Sequence, residues 1–247
     1  MKKIFLATLF LGIAGITASA QGFIFGARGS YTLGNTAGLE KTVYNGSKDG
    51  GLSGINGGVF MKYTINKHFS VNLDILHSLR GGTYSNTDTL SSGLISKDSY
   101  QQDFQYFEIP LMFNYHFLGD DSKINPYVGI GITGMAAHYT SLKTTNDISG
   151  KLNNRDTSFS YTSRLNNSTA YNKVDYGVVL GAGVSYQINS KWYASIDARY
   201  TKGLVDLREN KIVNKTVTEN NSNTPSPVRN TAIAVFFSVG MQLWDGK

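Results

Sequence analysis

Eight segments alternate apolar and polar residues one by one, the links between them are short and long in strict turn, and charges keep to one face. Together these predict an all-β fold: an eight-stranded antiparallel up-and-down transmembrane β-barrel with four long outer loops and short turns at the other end. Successive side chains of a strand point to opposite sides, so a period of two separates two faces that a helix would mix. The segments run to about 9–14 residues, longer than the ~5–6 of an ordinary strand and enough for the ~9–11 that a tilted strand needs to cross a bilayer.

The chain opens with Lys2 and Lys3, an apolar run from Ile4 to Ile16, and Ala18-Ser19-Ala20. A positive end, a short greasy stretch and an A-x-A site form a secretory signal, expected to be cleaved after Ala20. The run is under the ~18 residues a membrane helix needs, so an anchor is the weaker reading. The expected organisation is a signal peptide over 1–20 and one barrel domain over 21–247.

The first segment, Phe23 to Tyr31, is followed by the polar link Thr32 to Ser53; the second runs from Ile55 to Ile65. Only Asn66-Lys67-His68 separates it from the third, where Phe69, Val71, Leu73, Ile75 and Leu79 alternate with Ser70, Asn72, Asp74, Ser78 and Arg80. The long link Gly81 to Asp103 leads to the fourth, with Phe107, Ile109, Leu111, Phe113, Tyr115 and Phe117 on one face. Leu118 to Asn125 is short. The fifth segment spans Tyr127 to Tyr139, and Thr140 to Lys173 is long and polar. In the sixth, Tyr176, Val178, Leu180, Ala182, Val184, Tyr186 and Ile188 share a face. After Asn189-Ser190-Lys191 comes the seventh, with Trp192, Ala194, Ile196, Ala198 and Tyr200 on its apolar side. Gly203 to Asn230 is the last long link, and Ile233, Val235, Phe237, Val239, Met241 and Leu243 mark the eighth segment. Such alternation of turns and loops belongs to membrane barrels. Four structureless loops of that size would be unusual in a soluble domain.

The apolar sets define the outward face without reference to charge. Arg28, Lys62, Asp74, Arg80, Glu108, Asp175, Asp197 and Arg199 then all take the inward parity. Chance alone would give this about once in 250 for two faces per strand. Four bases and four acids inside require a network of ion pairs, because buried charges must be paired or hydrogen-bonded. His77, His138 and Lys202 take the outward parity toward the loop end. Aromatic residues gather at segment ends: Tyr63, Phe69, Phe117, Tyr186, Trp192 and Trp244 at the turns, and Tyr31, Phe107, Tyr139, Tyr176 and Tyr200 at the loops. That is the arrangement of two interfacial girdles. Eight strands enclose room only for their own side chains, so a filled lumen is expected. Inward glycines (Gly26, Gly58, Gly129, Gly131, Gly181 and Gly183) are expected to make space for Phe60, Met112 and Tyr193.

Composition narrows the function. The chain has no cysteine, which excludes a disulfide scaffold, a thiolate metal site and a lipidated cysteine. The formal charge of +6 falls by two, to +4, when Lys2 and Lys3 leave with the signal, a modest excess spread along the chain. It suits an outer-membrane lipid or lipopolysaccharide surface and gives no reason to expect a nucleic-acid partner. Gly129-Ile-Gly131-Ile-Thr-Gly134 matches a dinucleotide-binding pattern but lies inside an alternating segment with no following helix. His68, His77, His116 and His138 show no metal-ligand spacing. Asp120-Asp121 lack the further acids of a calcium loop and read as turn formers. His77 and Ser78 point to opposite faces and cannot form a nucleophile–base pair with one another. No catalytic, cofactor-binding or metal-binding residue is assigned, and no cofactor is expected.

The residues Phe104-Gln-Tyr-Phe-Glu-Ile-Pro-Leu-Met-Phe-Asn-Tyr-His-Phe117 resemble a strand of PorT-like outer-membrane β-barrel proteins of Bacteroidetes. Leu76-His-Ser-Leu-Arg-Gly-Gly82, Pro126-Tyr-Val-Gly-Ile-Gly131, Gly181-Ala-Gly183 and Ala198-Arg-Tyr-Thr-Lys-Gly-Leu204 are similar to that family in the same order, as is Gln21 after Ala-Ser-Ala. The resemblance spans the expected mature chain. It implies a barrel fold, an outer-membrane location, and an association of one member with type IX protein secretion; it carries over no catalytic residue. The final strand ending at Trp244 suits recognition by barrel-assembly machinery, although Asp245-Gly-Lys247 follow it. The expected function is a non-enzymatic envelope barrel whose loops serve adhesion, ligand contact, or assembly with an extracellular or envelope protein. Two alternatives stay open. A soluble secreted barrel binding a small apolar ligand would need an apolar lumen and a polar exterior. A barrel-wall lipid hydrolase would need Ser, His and an acid converging on the lipid face.

Overall fold

The computed structural model describes residues 22–37, 47–119, 122–152, 155–166, 171–207 and 227–244. The expected signal peptide, its cleavage site and the Asp120-Asp121 pair lie outside them, as does most of the link from Gly203 to Asn230. The described residues form nine strands: β1 (Gly22–Ala37), β2 (Ser47–Thr64), β3 (Phe69–Thr89), β4 (Ile95–His116), β5 (Ile124–Leu152), β6 (Arg155–Asn166), β7 (Val174–Gln187), β8 (Trp192–Gly203) and β9 (Arg229–Trp244).

Eight of them close a ring. Every neighbouring pair is antiparallel, β4 pairs with β5, β5 with β7, and β1 closes on β9 through Ile24↔Gln242 to Ala37↔Arg229. Within the barrel, closure pairs each ring strand on both sides, which lets a sheet cross a membrane without stranded backbone groups. The ninth strand, β6, stands outside the ring and pairs with the upper half of β5, Ser141↔Asn166 to Leu152↔Arg155. The link expected as a structureless loop from Thr140 to Lys173 is thus largely a β-hairpin. The link from Gly81 to Asp103 is also mostly strand, because β3 and β4 run on in register to Thr89↔Ile95.

The turn end is tight, and an asparagine organises each short link. Asn66 Oδ1 accepts the amides of His68 (2.9 Å) and Phe69 (3.0 Å). Asn189 Oδ1 does the same for Lys191 (2.8 Å) and Trp192 (2.9 Å). Asn125 donates to the Gly119 carbonyl (2.7 Å), and Gly119 adopts φ +74°, which glycine reaches without a Cβ penalty.

The wall faces the way the sequence requires. Phe25, Ile75, Ile109, Phe113, Ile130, Ile132, Leu180, Ile196 and Phe237 all point outward and are exposed. All eight predicted inward charges are buried, from 0% exposed at Asp74 to 6% at Arg199. A polar lumen inside an apolar coat is the reverse of what a soluble apolar-ligand carrier needs. Aromatic rings meet at the turn end: Phe23 and Tyr63 (4.7 Å between centroids) and Phe69 and Tyr115 (5.4 Å) tilt together across strands, and Phe117 meets Tyr115 edge-on along the chain (5.3 Å). The predicted steric relief holds for two of the three large residues. A Cβ on Gly26 would meet Phe60 Cε1 at 2.7 Å, and one on Gly131 would meet Met112 Sδ at 2.6 Å. Gly58 and Gly183 instead make way for the backbone of β3 and β8.

Candidate functional site

The lumen is packed in layers. Nearest the turns, Ile24, Phe60 and Tyr193 form an apolar cluster, with Lys62 Nζ 5.0 Å from the Tyr193 ring centroid. Above it, Asp74 accepts from Arg28 (2.9 Å) and from Arg199 (2.6 Å), while Arg199 Nε donates to Asp197 (2.7 Å). Tyr127 donates its hydroxyl to the same Asp197 (3.0 Å). Both guanidiniums also lie over aromatic rings, Arg28 on Phe60 (4.5 Å) and Arg199 on Phe236 (4.8 Å). Higher still, Arg80 donates to Glu108 (2.6 Å), which also accepts from Thr133 (3.2 Å). Six of the eight predicted charges therefore form ion pairs; the network expected from sequence is present, and its connectivity was not legible there. Asp175 is satisfied without a cation, by the Val205 amide (3.1 Å) and Asn230 Nδ2 (3.4 Å). A void of about 20 Å³ between the two ionic layers has room for little more than one water.

A second core closes the outer mouth. Tyr84, Phe104, Tyr106, Met135, Tyr171, Leu207 and Val228 pack together, fully or nearly buried. Leu207 and Val228 lie in the two described ends of the β8–β9 connection, which together form a strap at the mouth. Leu207 N donates to the Val228 carbonyl (2.9 Å), and Asn172 N to the Leu207 carbonyl (2.8 Å). Tyr84 Oη donates to the Thr36 carbonyl (2.7 Å), and Asn230 Nδ2 to Tyr106 Oη (2.7 Å). Sequence alternation gave no sign of this plug, because its members come from five separate elements.

Beyond the mouth, β3, β4, β5 and β6 continue as a four-stranded fin. Leu165 of β6 pairs with Leu142 of β5, which pairs with the buried, lumen-side Gln102 of β4, so this parity faces over the mouth. Phe159 and Tyr161 share it, and with Leu165 they are about 60% exposed (61%, 59% and 60%). The opposite face is polar. Arg164 donates to Asp103 (2.6 Å), and Ser160 to Asp147 (2.6 Å). On the face of Phe159 and Tyr161 itself, Asn146, the partner of Tyr161, donates to Asp98 across the two central strands of the fin.

The histidines divide. Among them only His116 is buried; its Nε2 lies 2.9 Å from Ser70 Oγ, and its Nδ1 has no partner among the described residues. This Ser–His pair faces the lumen and lacks an orienting acid. Ser78, inside, accepts from Arg80 Nε (3.4 Å), while His77 points outward, so these neighbours diverge as the alternation requires. His77 and His138 meet on the outer wall, ring centroids 5.3 Å apart, with the Phe107 ring 4.7 Å from His138. No group of three or more His, Cys, Asp or Glu side chains converges among the described residues.

Several solved structures are similar to this chain. Neisserial surface protein A shares 17% identity over 90% of this chain and 98% of its own, at a TM-score of 0.39. OprG from Pseudomonas aeruginosa shares 12% over 92% and 98%, at 0.42. Outer membrane protein W from E. coli shares 18% over 92% and 100%, at 0.44. No curated protein matches the sequence. A family described as the outer membrane protein beta-barrel domain matches residues 18–209, which takes in the ring from β1 to β8 with its buried charges and apolar coat. The chain belongs to the outer membrane protein beta-barrel domain family.

Proposed function

We propose that this chain is a non-enzymatic barrel of the bacterial outer membrane that presents the β3–β6 fin to an extracellular or envelope protein partner. The observation that carries the reading is β6. It pairs with β5 alone among the described strands, so its other edge offers a row of backbone donors and acceptors. Phe159, Tyr161 and Leu165 stand exposed along the same strand. An unpaired edge with alternate apolar side chains is a template for a further strand, and clustered exposed apolar groups beyond the membrane mark contact surfaces.

The order of motifs further supports a PorT-like protein of Bacteroidetes, exported by a signal peptide cleaved after Ala20 and inserted by barrel-assembly machinery. Lipopolysaccharide is its expected lipid neighbour. The lumenal Ser70–His116 pair, lacking a described acid and facing away from lipid, supports the non-enzymatic reading over a wall hydrolase.

A shortened variant tests the proposal: residues 143–164 replaced by Gly-Gly, which joins the paired Leu142 and Leu165 by a tight turn. Both forms should show heat-modifiable migration. A photo-crosslinking residue at position 161 on intact cells should yield a protein adduct, and the same probe at membrane-buried position 130 should not. An intact, surface-displayed fin that gives no adduct at 159, 161 or 165 overturns the reading.

A further inference from the structure

We propose that His77 and His138 form a two-imidazole site for a divalent transition-metal ion of the Zn²⁺ or Cu²⁺ class, on the outer wall of the barrel at the base of the fin. His77 lies on β3 and His138 on β5, with β4 between them. His77 is the direct partner of Phe107, and Phe107 of Ala136. The outward parity of Val128, Ile130 and Ile132 carries on to position 138, and a regular strand would then turn 139 inward. The register shift at Gln105/Tyr106 instead makes His138 the extra residue of a bulge, since Gln105 pairs with Tyr139 and Tyr106 with Ala137. Bulges re-aim side chains in this way. Here the bulge keeps His138 on the outside, against His77, and brings Tyr139 to the outward parity as well.

The separation suits chelation. Two imidazoles on one tetrahedral ion, with metal–nitrogen bonds of about 2.0–2.1 Å, hold their ring centres about 5 Å apart. The observed centroids are 5.3 Å apart and the planes 52° from parallel, so the rings are not stacked on each other. Both side chains are exposed, and neither ring nitrogen has a hydrogen-bond partner among the described residues. Phe107 packs 4.7 Å from the His138 ring and 6.2 Å from that of His77, an apolar floor that limits their freedom. Neutral imidazole favours Zn²⁺, Cu²⁺ or Ni²⁺ over the hard ions Mg²⁺ and Ca²⁺. With two protein ligands, the other coordination positions stay open to water or a headgroup oxygen. Bound metal would tie β3 to β5 across β4, strands that share no ladder bonds, where the fin leaves the barrel.

The test uses the full chain without a histidine tag, refolded in detergent micelles. Wild type titrated with Zn²⁺ should show one saturable site, and Cu²⁺ should give a paramagnetic resonance spectrum with two equatorial nitrogens. Loss of an outer-shell partner alone weakens metal binding about 10-fold, so His77→Ala and His138→Ala should each cost at least that. His68→Ala, an exposed histidine at the turn end, should change nothing. All variants should keep heat-modifiable migration, which shows that the barrel is folded. Unchanged affinity in His138→Ala, or a one-nitrogen copper spectrum in wild type, overturns the proposal. So does histidine-dependent binding of phosphorylated lipid A that persists in chelator without any metal effect, which would make the pair a phosphate contact.

Discussion

Asp74 holds the middle of the lumen together. It is fully buried and accepts from two guanidiniums on strands separated only by β9, Arg28 on β1 and Arg199 on β8. Those cations sit over Phe60 and Phe236, so they are fixed by packing as well as charge. Removing the carboxylate leaves two desolvated positive groups sharing only Asp197. We expect Asp74→Ala to lower stability by about 3–5 kcal/mol, measured by reversible urea unfolding in lipid vesicles. Asp74→Asn, which keeps an acceptor oxygen, should cost less. That these residues point inward was readable from parity alone. That Asp74 bridges two arginines while Asp175 binds an amide and an asparagine was not, since pairing depends on the stagger between distant strands.

At the scale of elements, the strap and the fin are where the structure adds most to the alternation pattern. β5 runs for 29 residues, far beyond what a membrane crossing needs, and its upper half is rich in Ser, Thr, Asn and Lys. No apolar face marks it as a strand, because both faces meet water; the ladder to β4 and β6 holds it instead. The strap over the mouth depends on Leu207 and Val228, both with no measurable exposure. Truncating a fully buried leucine costs about 2–5 kcal/mol. Leu207→Ala should therefore loosen the mouth, seen as faster amide hydrogen exchange at Leu207 and Val228 with protection in the ring strands unchanged. Equal loss throughout the ring would show that strap and barrel unfold as one unit.

For the whole molecule, closure and filling act together. Eight strands form a ring narrow enough for layered side chains to occupy it. Two ionic layers and an apolar plug follow one another from turn to mouth. We expect no steady single-channel conductance from the folded protein in planar bilayers, and heat-modifiable migration on gels as a companion check. A stable ohmic channel in wild type would mean that the layers rearrange in the membrane. The chain termini of the ring, Phe23 and Trp244, meet at the turn end, opposite the fin.

The amino-acid order by itself determined the number of ring strands, which face of each meets lipid, and which end carries short turns. The reason is local: a period of two and an energetic ban on charge in acyl chains act on each strand separately. Only the tertiary structure decided which charges pair, that seven residues from five elements plug the mouth, that β6 exists, and that His77 and His138 meet across β4. Those features depend on register between strands remote in sequence, and register arises only when the sheet closes on itself.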